Sequence, residues 1–245
     1  MNIRYFGLEL GRQLRNARSL VFTFAIPILL LVVFGGTYGS GFDKVVHLPW
    51  IVVTTVQEGG YAAMMAALAQ AFTIVNERSV GWNRQLRITP LSGTGYLVSK
   101  VSATLAVGLL AILVIFGVSI LGMHAQLSVG AWVMAGLGLW LGTIPFSLIA
   151  IFIAQFAKPS FAQPLFMITF LGLAILGGLW IPLDIMPHWV TNFAQIVPSY
   201  WLNRVGQMGA SLSGNIGIPT LILGAWTAAL AALIAWRYRR DSARA

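Results

Sequence analysis

The residues most able to do chemistry in this chain are four charged side chains within residues 76–92. The chain has 15 basic and 6 acidic residues among 245. Glu77, Arg78, Arg84 and Arg87 lie in this stretch, between two long apolar segments. Carboxylates and guanidinium groups form strong, charge-assisted hydrogen bonds. The stretch therefore predicts a surface that a partner contacts, although a solvated loop is the simpler alternative.

The same stretch has the pattern of a short amphipathic helix. Trp82 and Leu86 are one helical turn apart, and Pro90 is placed to end the helix. Its apolar face either rests at the membrane surface or enters a groove of a partner.

Two polar residues inside an apolar segment are further candidates for a site. An ionisable residue within a membrane span is by default a functional candidate, and Glu58 is the clear case. It either faces a polar cavity, as a gate or a site for a cationic substrate, or lies at the outer interface. Gln70 either faces that cavity or forms a hydrogen bond within the bundle.

The sequence shows no catalytic, metal or nucleotide signature. It contains no cysteine and no Gly-x-x-x-x-Gly-Lys-Ser/Thr phosphate loop. His47, His124 and His188 lack the spacing of metal ligands, and no intramembrane serine has a histidine base. We therefore expect a protein that is not an enzyme and has no catalytic residue, metal site or cofactor of its own.

The composition predicts an all-α integral membrane protein with a single transmembrane domain over residues 1–245. The chain is 58% hydrophobic and 9% charged, against about 25% charged residues in a soluble domain. Several apolar runs exceed the roughly 18–20 residues that cross a bilayer core. Six spans are predicted, at residues 20–37, 51–75, 97–121, 130–156, 161–181 and 216–236.

The positive charges predict which side of the membrane each loop occupies. With six spans, thirteen of the fifteen lysines and arginines fall on one side, and only Lys44 and Arg204 fall on the other. This asymmetry predicts cytoplasmic termini and a cytoplasmic 76–92 segment. It also accounts for the net charge of +9 without any nucleic acid. Residues 1–18 are predicted to form a basic interfacial helix in contact with lipid.

The predicted outer side has one substantial segment, residues 182–215. It is rich in proline, tryptophan and tyrosine, and aromatic residues suit the membrane interface. Residues 188–196 are amphipathic but too short to span. We expect one or two short re-entrant or interfacial helices here, between spans five and six.

Two motifs resemble those of ABC-2-type transporter permeases, the membrane subunits of ABC exporters that include drug- and antibiotic-efflux permeases. The first motif follows span two and consists of Glu77-Arg78, Gly81, Leu86-Arg87 and Thr89-Pro90-Leu91-Ser92. The second precedes span six and consists of Gly177-Gly178-Leu179-Trp180-Ile181-Pro182, Met186-Pro187, Trp189 and Pro198-Ser199-Tyr200-Trp201. With the topology, the resemblance covers nearly the whole chain.

The resemblance implies a permease that pairs with a second copy or a paralogue and with two cytosolic ATPase subunits, which bind ATP and Mg²⁺. The segment 76–92 takes the place of the coupling helix that docks on the ATPase. The coupling residues are then Glu77, Arg78, Gly81, Arg84, Leu86 and Arg87. Relatives place span five at the dimer interface and line the cavity with spans two and five. Phe166, Thr169, Phe170 and Leu173 then join Glu58 and Gln70 on the substrate path.

The expected function is that of the membrane subunit of an ATP-driven exporter for an amphiphilic or hydrophobic compound. The expected location is a plasma membrane, the bacterial inner membrane. The alternative is a stand-alone ion-coupled carrier or channel, for which Glu58 is the one available coupling site. A membrane enzyme lacks a catalytic constellation, and a sensory subunit has little room for an outer receptor domain.

Overall fold

The N-terminal part of the chain forms a short helix followed by a longer, interrupted one. The computed structural model describes residues 3–38, 41–43, 46–81, 93–180, 183, 186–212 and 215–242. Helix α1 is Ile3–Leu14; α2 (Ala17–Leu20) continues through a π-helical turn, Val21–Ala25, into α3 (Ile26–Tyr38). Pro27 accounts for the wider turn, because proline has no N–H to donate to the carbonyl four residues earlier.

Helix α4, Trp50–Ser79, is the centre of the bundle. A short antiparallel ribbon of β1 (Phe42–Asp43) and β2 (Leu48–Pro49), which the sequence did not predict, comes before it. At about 1.5 Å per residue the helix is about 45 Å long, longer than a hydrocarbon core of about 30 Å. Nearly every residue between Ile51 and Val75 is buried, because other helices surround α4.

Seven further helices follow α4 in the described residues. They are α5 (Gly93–Gly122), α6 (Val129–Gly142), α7 (Ile144–Phe156), α8 (Pro159–Leu176), α9 (His188–Ala194), α10 (Pro198–Ser211) and α11 (Gly217–Ser242). Helices α6 and α7 meet at Thr143, just before Pro145, and together they correspond to the predicted fourth span. Helix α8 ends five residues before the predicted span does, because a turn at Gly177 and Gly178, with φ +67° at Gly178, follows it.

Four segments are long and apolar enough to cross a membrane, judged over the described residues by length and composition. They are Gly95–Gly122, Val129–Phe156, Pro159–Leu176 and Gly217–Arg237, and Val21–Thr37 is a shorter apolar helix. Helix α4 is not among them, since Gln57, Glu58 and their neighbouring glycines lower its hydropathy. Its burial explains how such a composition is tolerated: its surface meets protein rather than lipid.

Helix α10 is inserted into the bundle rather than lying on its surface. Leu202, Val205 and Ala210 are buried. A Cβ atom built on Gly209 would lie 2.8 Å from the backbone N of Ala135 in α6. Glycine at this position therefore permits the close backbone approach that is typical of helix packing in membranes.

Replacing Gly209 with alanine tests this close approach. We expect Gly209→Ala to destabilise the protein by about 1–3 kcal/mol, because the added methyl group would meet backbone atoms of α6. Gly224→Ala is the matched control, since nothing lies within 4 Å of a Cβ built there. The measurement is thermal unfolding of both purified variants in detergent. Equal melting temperatures for the two variants would contradict this close approach of α10 and α6.

Candidate functional site

A buried lysine joins three helices where α4 ends. Lys100 of α5 is fully buried, and its Nζ donates to Glu9 Oε1 of α1 at 2.7 Å and to Glu77 Oε1 of α4 at 2.9 Å. Both carboxylates are 3% exposed. One ammonium group therefore holds carboxylates that are 68 residues apart in the sequence. We call this end of the bundle, marked by Glu9, Glu77 and Lys100, the base.

The Glu77 carboxylate has two further donors. Arg12 of α1 donates from Nη1 to Oε1, and the Tyr96 hydroxyl of α5 donates to Oε2. Glu9 and Glu77 together balance Lys100 and Arg12, so these four charges sum to zero. Such a balanced, hydrogen-bonded set is the condition under which charges can be buried at a tolerable cost.

Neutral polar side chains border the ionic cluster. Gln13 of α1 donates to Gln70 Oε1 at 3.0 Å and lies 3.5 Å from Thr104 Oγ1 of α5. Gln70 in turn donates to Glu9 Oε1 at 3.3 Å. Of the two alternatives for Gln70, the structure shows the hydrogen bond within the bundle.

Arg78 connects the end of α4 to α7. Its guanidinium donates to the carbonyl of Ala154, close to the C-terminus of α7, where the partial negative charge of the helix end favours a cation. Arg237 of α11 lies 3.9 Å from the centre of the adjacent Phe156 ring. Two consecutive residues of opposite charge thus hold the end of α4 to α1 and α5 on one side and to α7 on the other.

Most of the predicted coupling segment lies outside the described residues. Asn76–Ser79 are the last turn of α4, and the chain then turns at Gly81, whose φ of +73° favours glycine. Arg84, Leu86 and Arg87 fall within residues 82–92, which are not described. Among the predicted coupling residues, Glu77 and Arg78 bind other parts of this chain.

A second group of polar residues lies in the opposite half of α4. Gln57 and Asn203, from α4 and α10, both donate through their amide nitrogens to the carbonyl of Gly178, at 3.1 and 3.2 Å. The two residues line a cavity of about 50 Å³ together with Asp43 and Arg204. Glu58 is 2% exposed, and its Oε2 has no hydrogen-bond partner among the described residues.

Aromatic side chains pack between this polar group and α8. The Tyr61 ring lies 5.4 Å from Phe170 and 5.9 Å from Trp180, and Phe166 stacks on Phe170 at 5.8 Å between ring centres. Leu173 is buried on the same helix, whereas Thr169 is partly exposed. The structure thus brings three of the four predicted path residues of α8 to the buried face that packs on α4. Gln70 lies away from them, in the base.

Sequence reasoning missed the residues that complete the base: Glu9, Arg12, Tyr96 and Lys100. Two signals were available. Glu9 is the only acidic residue among the first 18, and Lys100 lies inside predicted span three, where a charge is expensive. Neither signal identifies the partner, because Glu9, Glu77 and Lys100 meet only through folding. The described residues contain no group of three His, Cys, Asp or Glu that could hold a metal ion.

Comparison with known proteins relates the chain to membrane transport proteins. Residues 8–208 match the family described as "ABC-2 type transporter". A protein of Bacillus subtilis (strain 168) named "Putative transport permease YvfS" is 27% identical over 193 residues, which cover 78% of each chain. The matched range includes the ionic cluster, the hydrogen bonds of Gln57 and Asn203 to Gly178, and the aromatic side chains between α4 and α8.

The ionic cluster predicts a large effect of neutralising its shared acceptor. Glu77→Gln leaves Tyr96, Lys100 and Arg12 without their common carboxylate, and breaking a buried pair in this way costs about 3–5 kcal/mol. We expect a markedly lower melting temperature in detergent. Ser79→Ala, on the exposed last turn of α4, is the control and should match the unmodified chain. An unchanged melting temperature for Glu77→Gln would contradict the cluster.

Proposed function

The chain belongs to the ABC-2 type transporter family, and from this premise we propose that it is the membrane subunit of an ATP-driven exporter. Membership of this family implies that an ABC ATPase is the partner. We propose two copies of the ATPase, which bind ATP and Mg²⁺, and an amphiphilic or hydrophobic cargo that leaves the cytoplasm or the inner leaflet. The family match over residues 8–208 carries this proposal.

The end of α4 is suited to receive a movement of the ATPase. Glu77 and Arg78 connect it to helices on both sides, so a displacement of the segment that follows reaches α1, α5 and α7 together. A stiff helix about 45 Å long would pass that movement across the membrane. We propose that residues 76–92 form the coupling segment, in which Arg84, Leu86 and Arg87 contact the ATPase while Glu77 and Arg78 anchor the segment.

The opposite half of α4 supports the proposed substrate path. Glu58 Oε2, which has no hydrogen-bond partner in the described part of the chain, and the aromatic rings of Tyr61, Phe166 and Phe170 lie in this region. A positive charge on an amphiphile would find an acceptor there, and its apolar body would find aromatic surface. Gln70 is a weaker candidate, since its amide oxygen and nitrogen are both hydrogen-bonded within the base.

We further propose six spans, counting Val21–Thr37 and α4, with both termini in the cytoplasm. The proposed dimer has support in α8, whose outer face carries Phe161, Leu165 and Ile168 at helical spacing, all exposed. This apolar face meets either lipid or a second permease copy. The distribution of lysine and arginine supports the orientation.

Charge reversal in the coupling segment tests the exporter. In proteoliposomes that contain the permease and its co-expressed ATPase, we expect amphiphiles to stimulate ATP hydrolysis. Arg84→Glu/Arg87→Glu should lower the stimulated rate about tenfold or more, because the proposed contacts to the ATPase become repulsive or are lost. The readout is phosphate release per assembled complex.

Arg239→Glu/Arg240→Glu is the control for that experiment. It makes the same change in charge near the C-terminus and so shows whether altered insertion causes the loss. Full stimulation in the Arg84/Arg87 variant would contradict the coupling segment. Transport that continues without any ATPase would replace the exporter with the ion-coupled carrier.

The proposed path predicts a charge-selective effect at Glu58. Glu58→Gln keeps the shape of the side chain and removes its ability to carry a negative charge. We expect weaker stimulation of the complex by cationic amphiphiles and unchanged stimulation by neutral ones of similar size, which serve as the internal control. Equal effects on both classes would argue against a cation-binding role.

A further inference from the structure

We propose that Lys100 is the residue that positions the N-terminal helix α1 against the end of α4, and that coupling to the ATPase depends on this position. The inference rests on the function proposed above and extends it beyond residues 76–92. Lys100 would act through Glu9 and Glu77, without contacting substrate or nucleotide.

The first observation is the complete burial of Lys100 between two carboxylates. A lysine that served only the charge asymmetry across the membrane could keep its ammonium group in water. Burying it costs several kcal/mol that the ion pairs only partly return, so a buried ion pair by itself is weak evidence for stability. A fixed geometry between α1, α4 and α5 is what these contacts provide.

The second observation is the way in which α1 is attached. It turns polar side chains towards the bundle: Glu9 is buried, and Arg12 and Gln13 bind Glu77 and Gln70. Its apolar residues Ile3 and Leu8 are 76% and 72% exposed. A helix held at the membrane only by its apolar side would not need these directional contacts. The polar contacts therefore hold α1 against α4 independently of any contact between α1 and lipid.

The third observation is what α1 connects. After Leu14, the chain passes through α2 and the π-helical turn Val21–Ala25 into α3. A displacement of Glu77 would pull on Lys100 and Arg12, and so on α1, which α2 and the π-helical turn connect to α3. A π-helical turn, which has wider and poorer hydrogen bonding than an α-helical one, is a suitable place for α3 to change its angle.

A purely structural role for the cluster predicts a different outcome, and one double variant separates the two. Glu9→Gln/Lys100→Met removes one negative and one positive charge, so the remaining Arg12–Glu77 pair is balanced. Replacement of a buried ion pair by uncharged groups is often neutral for stability. If the cluster serves stability alone, this variant should hydrolyse ATP like the unmodified complex. If Lys100 positions α1, coupling should stay impaired although the protein is stable.

The experiment uses the permease with its co-expressed ATPase in proteoliposomes. The readouts are amphiphile-stimulated ATP hydrolysis per assembled complex and the melting temperature of the permease. We expect Lys100→Met to lower both. We expect the double variant to recover the melting temperature but to show a maximal rate lower by about fivefold or more, the low end of typical coupling between sites. The KM for ATP should not change, because ATP binds to the partner.

The controls make every outcome decisive. Arg15→Met removes an exposed charge one turn after Arg12 and should keep the full rate. A decrease of less than about fivefold in the maximal rate of the stable double variant overturns the proposal. If the double variant does not assemble, Glu9→Gln alone is measured, since it leaves Lys100 bound to Glu77. A normal maximal rate in Glu9→Gln would then overturn the proposal. Absence of stimulation in the unmodified complex would instead refute the proposed exporter.

Discussion

The burial of one ammonium group organises the base of this bundle. Lys100 has no contact with water and satisfies its charge with Glu9 and Glu77. Because an unpaired buried charge is far more expensive than a paired one, the two carboxylates must stay in place, and with them helices α1 and α4. Arg12, Tyr96, Gln13 and Gln70 complete the hydrogen bonds that this arrangement requires. The position of α1 is thus fixed by electrostatics in addition to packing such as that of Tyr5 on Tyr96.

The central position of α4 explains its unusual composition. A helix that faces lipid must be apolar, whereas a helix enclosed by other helices can carry polar side chains if each finds a partner. Helix α4 has two such regions, the ionic cluster at the base and the Gln57–Gly178–Asn203 junction in the opposite half. Between them lies a closely packed stretch rich in alanine and methionine. Directional bonds therefore hold the helix in two regions, and the stretch between them is tightly packed, which makes the helix stiff.

This construction suits the function proposed for an ABC-2 type transporter. Under this proposal, a movement received beyond Ser79 would arrive at a helix end that is already bonded to its neighbours, so little of it would be lost in bending. The region around Glu58, Tyr61 and Phe170 belongs to the same helix and its α8 contacts, which links that region mechanically to the base. Arg78 adds α7 to the set of helices that would move together.

Much of this protein could be predicted from its sequence alone. Hydropathy identified a membrane protein, whereas the resemblance to ABC-2-type permeases placed Phe166, Phe170 and Leu173 among the residues of interest. Hydropathy is a local signal, because apolar length acts within one segment. The sequence could not show that Lys100, counted among the thirteen basic residues on one side of the membrane, is fully buried, or that Glu77 has three partners within the chain. It also could not show that α4, an ordinary span by length, is enclosed by protein. These facts depend on which segments meet in three dimensions, and a charge is tolerated in the interior only where folding brings the opposite charge to it.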